Sequence, residues 1–150
     1  MTQIAYLENQ VCFAMYSATN AMIRQYRPLL QEYDLTYPQF IVLLALYEKD
    51  NVTLSEIGQK TFFVSFTLTP IIKKLEEKQF LKRVAVKEDE RMKKVILLGK
   101  ALSAKEEITL IPFKLACSLG IEPNDLVAIH NLCHRFLKGL ENSKLESMSE

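Results

Sequence analysis

The apolar residues of this chain change their spacing once, and that change restricts the folds open to it. Leu7, Val11, Ala14, Met15, Ala18, Met22, Tyr26, Leu29 and Leu30 recur in steps of three and four. That is the period of an amphipathic helix. After Lys78 the pattern turns strand-like, with Leu81 to Val86 and Lys94 to Leu98 reading as two strands around a charged hairpin tip, Lys87 to Lys93. Two helical stretches follow, about Gly99–Ala116 and Asn124–Leu140, separated by Gly120 and Pro123. One hairpin inside a helical chain predicts a mainly α fold with a small β-hairpin. With only 4 glycines and 5 prolines there is little turn chemistry for an all-β alternative.

The helices before the hairpin can be bounded from their caps. The first runs from about Ile4 to Tyr33, too long for a small globule unless something covers its stripe. Thr36-Tyr37-Pro38-Gln39 opens a second helix to about Glu48, with Thr36 and Gln39 as a capping box and Pro38 in the tolerant first turn. Thr53-Leu54-Ser55-Glu56 is another capping box, starting a short helix that ends near Lys60. A further helix spans Ser65 to Lys78. Two short helices followed by a hairpin make a winged helix-turn-helix, at about residues 36–98. The helices at about 4–33 and 99–140 carry apolar stripes without partners, which predicts a dimerisation layer. At 150 residues, 49% hydrophobic and 25% charged, the chain fits one ordered domain, 1–150, and excludes a disordered one. The tail from Glu141 is polar and is expected to fray.

The net charge of +1 conceals an uneven distribution. Residues 71–94 hold nine basic and five acidic side chains, an excess of +4, while residues 1–70 stand at −2. The positive segment is the third helix of the motif and its wing, the parts that meet a major groove and its flanking backbone. On that helix Ser65, Thr67, Thr69, Lys73 and Lys74 are candidate DNA contacts, through base edges or phosphates. Ser65 and Thr67 also suit a plain helix cap. On the wing, Arg91 at the tip suits a minor groove, and Lys93 and Lys94 suit phosphate. A solvated tip held by an Asp89–Arg91 ion pair is the alternative.

Three cysteines, Cys12, Cys117 and Cys133, make a poor disulfide framework. Residues 1–10 show no secretory signal, and the longest apolar run, Phe40 to Tyr47, is far short of the ~20 residues of a membrane helix. A cytoplasmic protein with no membrane partner is expected, where thiols stay reduced. Tyr16 is four residues from Cys12 and shares its helix face. Tyr26, fourteen residues on, points within about 40° of the same direction but lies roughly 21 Å along the axis. It can approach only the Cys12 of an antiparallel second copy. Phenol donors stabilise a thiolate, and an accessible thiolate is oxidised by peroxide to a sulfenic acid. Cys12 as a small buried apolar residue remains the other reading. His130, Cys133 and His134 lie on one helix, but zinc needs further ligands. No metal or cofactor is expected, and no phosphate loop or hydrolase motif marks an enzyme.

Several runs carry a family likeness. Leu7-Glu8-Asn9-Gln10-Val11-Cys12-Phe13-Ala14-Met15-Tyr16, Tyr26-Arg27-Pro28-Leu29-Leu30, Leu35-Thr36-Tyr37-Pro38-Gln39-Phe40, Thr67-Leu68-Thr69-Pro70 and Asp89-Glu90-Arg91 resemble the OhrR branch of the MarR family. The resemblance implies a homodimeric winged-helix repressor that binds a pseudo-palindromic double-stranded operator. Its N-terminal cysteine is oxidised by organic hydroperoxide, which releases the DNA. By position, Cys12 matches the sensing cysteine, and Tyr16, Tyr26 and Tyr37 match the tyrosines around it. Cys117 matches the resolving cysteine of a two-cysteine subgroup, with a small-molecule thiol as the alternative resolver. Val64 and Phe66 depart from the family pattern, which has an acidic and a small residue there. A MarR-like repressor induced by an aromatic ligand, and a thiol peroxidase, are the other functions to weigh.

Overall fold

The computed structural model describes residues 6–147, except for the side chains of residues 90 and 142–147. After a 3-10 turn at Leu7–Asn9, the elements are α1 (Val11–Gln31), α2 (Tyr37–Glu48), β1 (Val52–Thr53), α3 (Leu54–Thr61), α4 (Ser65–Glu77), β2 (Leu81–Val86), β3 (Asp89–Leu97), α5 (Gly99–Ser103), α6 (Lys105–Ser118) and α7 (Pro123–Ser147). The winged helix-turn-helix expected from the caps and the period change is therefore present: α2, α3 and α4, then the β2–β3 wing.

The chain divides into two compact units, at residue 112 within α6. Pro112 stands at this point and has no N–H to give the Ile108 carbonyl. In the first unit, α2 is apolar almost all round and buries Gln39, Phe40, Val42, Leu43 and Leu46. Such a helix needs cover on every side. Leu30 at the end of α1, Ile57 of α3, Leu68, Ile72 and Leu75 of α4, and Leu81 and Val95 of the wing join it in one core. Only the last turns of α1 take part. Its first turns leave Val11, Phe13 and Met15 exposed. In the second unit α7 leaves Val127, Ile129 and Leu132 exposed.

Several expected boundaries need correction. The first helix begins at Val11, because Gln10 is extended and closes the 3-10 turn; Ile4 lies outside the described residues. The wing strands reach further than their apolar residues. β3 begins at Asp89, a bulge falls between Ala85 and Val86, and only Lys87 and Glu88 turn the chain. The charged residues of the tip alternate no apolar face, so only cross-strand pairing reveals them as strand. A third strand, β1, joins β3 through Val52 and Thr53, giving the order β1-β3-β2. It is too short to show a period. The helix expected at 99–116 breaks at Ala104, where the Tyr47 hydroxyl donates to the Ala101 carbonyl (2.7 Å) and diverts it from the helical ladder. Finally, α7 continues through the expected fraying point to Ser147.

Both capping boxes form. Gln39 Oε1 accepts the Thr36 amide (3.1 Å). Thr53 Oγ1 accepts the Glu56 amide (3.2 Å), and Glu56 Oε2 accepts the Thr53 amide (2.8 Å). The Thr53 amide, with the Lys49 ammonium 2.9 Å away, holds the Glu56 carboxyl down to about 2. Thr53→Ala is expected to cost about 1 kcal/mol, as for other helix caps, read as a lower urea midpoint at neutral pH. Because the folded-state value of Glu56 is depressed, its contribution is present above the ordinary carboxylate range and disappears as the pH falls toward about 2. The stability gap between wild type and Glu56→Ala, which removes that carboxylate, is therefore expected to narrow along that acid range.

Candidate nucleic-acid interface and thiol site

The turn between α3 and α4 is built tightly. Phe62 closes α3 in the left-handed region (φ 60), and Val64 is extended ahead of Ser65. A Cβ on Gly58 would stand 3.0 Å from the Phe63 carbonyl, so the glycine lets α3 pass close to the turn. α4 then buries Leu68, Ile72 and Leu75. Ser65, Thr67, Thr69, Lys73 and Lys74 are all exposed. Two of these groups already have partners: Thr69 Oγ1 donates to the Ser65 carbonyl (2.9 Å), and Lys74 pairs with Glu77 (2.9 Å). Helical spacing sets Phe66, Thr69, Pro70 and Lys73 on one outward stripe. Phe66 is 90% exposed.

The wing is anchored to this helix by a residue pair that spacing alone does not signal. Glu76 of α4 accepts from Arg83 of β2 three times, from the backbone amide (2.9 Å), Nε (3.0 Å) and Nη2 (2.6 Å). The Arg83 guanidinium, with its amide, holds the Glu76 carboxyl below its ordinary range, and Lys93 adds to that field. Arg91 is exposed at the tip. Its backbone amide donates to Asp89 Oδ1 (2.9 Å), and among the described residues no ion pair joins the two side chains, so the bridge weighed as the alternative for this tip is replaced by a backbone contact. Lys93 is exposed and Lys94 half-buried. Strand alternation puts these two on opposite faces of the wing.

The candidate thiol groups fall into separate places. Cys12 is the second residue of α1 and is exposed, as is Tyr16 at 68%. Tyr26 instead clusters with Tyr37 (ring centroids 4.9 Å apart) and Phe40 (5.6 Å). Burial pushes the Tyr26 phenol up, helped by Tyr37, and burial does the same to Tyr37. Both phenols are therefore neutral donors through the physiological range. A continuous α1 keeps Cys12 about 21 Å along the axis from Tyr26. Cys117, in the second unit, is exposed, and Cys133 is half-buried. The His130 and His134 rings lie 4.3 Å apart, but among the described residues no group of three ligating side chains is placed to hold a metal. A cavity of about 230 Å³ lies beside Tyr37, lined by Ile23, Arg27, Leu30, Leu35, Thr36 and Pro38. At the other side of the α1–α2 turn, Lys78 at the end of α4 donates to Gln39 Oε1 (3.2 Å) and to the Asp34 carbonyl.

These features define a winged helix-turn-helix transcriptional regulator. A model of the SarA/Rot transcriptional regulators matches residues 24–108. The chain is 38% identical over 106 residues to the organic hydroperoxide resistance transcriptional regulator of Bacillus subtilis (strain 168), covering 71% of this chain and 72% of that protein. It is 38% identical over 115 residues to TtmR of Methylorubrum extorquens (strain PA1), covering 77% of this chain and 59% of TtmR's length. Among solved structures, reduced AbfR bound to DNA is similar with a TM-score of 0.80 at 27% identity, over 95% of this chain and 98% of that one. AbfR is from Staphylococcus epidermidis. The protein belongs to the SarA/Rot family of MarR-like winged-helix transcriptional regulators. Among the described residues no helix is long and apolar enough to cross a membrane.

Glu76→Ala removes all three hydrogen bonds that seat the wing. Both side chains are 30% exposed, so solvent screening limits the loss to about 1 kcal/mol. The expected readout is a lower urea midpoint together with faster amide exchange in β2 and β3. Unchanged exchange in both strands would show that the wing does not depend on Glu76.

Proposed function

We propose that this chain is a homodimeric DNA-binding repressor that senses organic hydroperoxides through Cys12 and releases its operator on oxidation. The observation that carries this reading is the division of the tyrosines. Tyr16 accompanies the exposed Cys12, while Tyr26, toward the far end of that helix, clusters with Tyr37 of α2. An antiparallel second copy would bring its Tyr26–Tyr37 cluster to Cys12. The exposed Val11, Phe13 and Met15 of α1 offer apolar surface for such a copy. The 38% identity to the B. subtilis hydroperoxide-resistance regulator supports the same assignment.

In this mechanism the Cys12 thiolate attacks the outer oxygen of a hydroperoxide. The O–O bond breaks, the sulfur becomes a sulfenic acid, and the leaving alkoxide takes a proton to become an alcohol. Tyr16, Tyr26 and Tyr37 donate to the sulfur. The Cys117 thiol of the second copy then attacks the sulfenic sulfur, releasing water and forming a disulfide. In the reduced state Ser65, Thr67, Thr69 and Lys73 address the major groove. Lys74 reaches phosphate by exchanging its Glu77 pairing, and Arg91, Lys93 and Lys94 of the wing flank the duplex. The two recognition helices address half-sites one turn apart on a pseudo-palindrome.

A second reading rests on the cavity beside Tyr37. Its apolar lining and Arg27 suit a small aromatic acid. The two readings differ in their dependence on Cys12.

Operator binding is measured before and after cumene hydroperoxide, for wild type and Cys12→Ser. Oxidation is expected to weaken wild-type binding at least about tenfold, equivalent to ~1.4 kcal/mol, and to leave Cys12→Ser unaffected. Unchanged wild-type affinity would sink the peroxide reading. Release of Cys12→Ser by an aromatic acid would favour the second. Non-reducing electrophoresis with mass mapping is expected to find Cys12 joined to Cys117 between subunits; a Cys12 adduct with a small thiol would assign resolution elsewhere. Sustained peroxide turnover with a thiol reductant would favour a peroxidase.

A further inference from the structure

Folding gives no reason for the apolar residues at the head of the recognition helix. Phe62, Val64 and Phe66 are 61%, 66% and 90% exposed. They alternate with residues the fold does use, since Phe63 packs against the core and Ser65 begins α4. Phe62 moreover occupies the left-handed region, where a bulky side chain is costly. Positive backbone φ and exposed apolar surface thus coincide within five residues, Phe62 to Phe66. Pro70 adds a third feature, because it has no N–H for the Phe66 carbonyl, so the first turn of α4 is less tightly tied there.

We infer that Phe66 is a specificity-determining residue that reads the C5-methyl of thymine in the major groove of duplex DNA, with Val64 beside it. The inference rests on the DNA-binding reading above. Duplex DNA is the occupant because of what surrounds the ring. Phe66 is the second residue of the second helix of a helix-turn-helix, and the first residues of that helix are the ones that meet base edges. It shares its outward stripe with Lys73, which forms no ion pair among the described residues. The adjoining wing brings Arg91 and Lys93, also exposed. A similar fold at 27% identity is known bound to DNA. The chemistry then narrows to one base. A benzyl side chain has no hydrogen-bonding group, so it cannot read guanine, cytosine or adenine by donor and acceptor. The one apolar group in the major groove is the thymine methyl. The ring gains by burying it and leaves no polar group unpaired.

The test separates this inference from the reading beneath it. Reduced wild type and Phe66→Ser are each used to select sites from a random duplex library. In the wild-type site every thymine is replaced, one position at a time, by deoxyuridine, which lacks only the methyl. At one position in each half-site the change is expected to weaken wild-type binding roughly fourfold, the factor for one buried methyl of ~0.8 kcal/mol. Phe66→Ser should lose that dependence, and Phe66→Leu, still apolar, should retain part of it. Far-ultraviolet dichroism and binding at low salt verify that each variant is folded and on the DNA. Tight wild-type binding that ignores every methyl, or an equal methyl dependence in Phe66→Ser, overturns the inference and leaves the DNA-binding reading standing. No duplex binding by the wild type overturns both.

Discussion

The rest of the first unit depends on α2 having no polar face. Tyr37 to Glu48 is apolar around most of its circumference, so the helix is stable only when wrapped. The last turns of α1, then α3, α4 and the wing, each contribute an apolar stripe to that wrapping. A helix-turn-helix is often described by its turn, but here the turn follows from the packing. α3 and α4 must both lie against α2, and Gly58 permits the close approach that this requires at the Phe63 carbonyl. The recognition helix is consequently held from behind by Leu68, Ile72 and Leu75, and its outward stripe is left to function.

Polar contacts then fix what the apolar core leaves free to slide. Glu76 and Arg83 tie the wing to the recognition helix at one end of α4. Lys78, just past that helix, binds the α1–α2 turn at Asp34 and Gln39. Gln39 is also the residue that closes the α2 capping box, two residues from Tyr37. Gln39 thus links the end of the recognition helix to the first turn of α2, the turn that also carries Tyr37 and Phe40. Val64, at the start of α4, is exposed and uncharged and takes no part in these polar contacts.

The sequence made legible those features that repeat or that cap. Both capping boxes and the switch of period at Leu81 are local rules, and local rules survive without tertiary knowledge. What escaped was set by contacts distant in sequence. β1 exists because Val52 and Thr53 meet Val95 and Lys94, more than forty residues away. At the break near Ala104, the Ala101 carbonyl is met by the hydroxyl of Tyr47, 54 residues away. The charged end of β3 gains strand structure from pairing and turn geometry, which hydrophobic pattern cannot report. At the site, the residue types at Cys12, Tyr26 and Tyr37 were legible, and so was the separation along α1. The Glu76–Arg83 seat was not, since opposite charges seven residues apart across a turn are common and seldom structural.

The charge ledger also changes once contacts are known. Of the nine basic residues between 71 and 94, Lys74, Lys78 and Arg83 are held by Glu77, Asp34 and Glu76. The excess of the segment is therefore carried by Lys73, Lys82, Lys87, Arg91, Lys93 and Lys94, and strand alternation sends Lys93 and Lys94 to opposite faces. Phosphate neutralisation supplies most sequence-independent affinity and grows with the number of cations engaged. Phosphate contacts carry no base sequence, so discrimination falls to the groups that reach base edges, and in a helix-turn-helix those begin in the first turn of the recognition helix. That turn presents Ser65, Phe66 and Thr67, a mixture of hydroxyl and ring that favours shape and methyl contacts over bidentate hydrogen bonds.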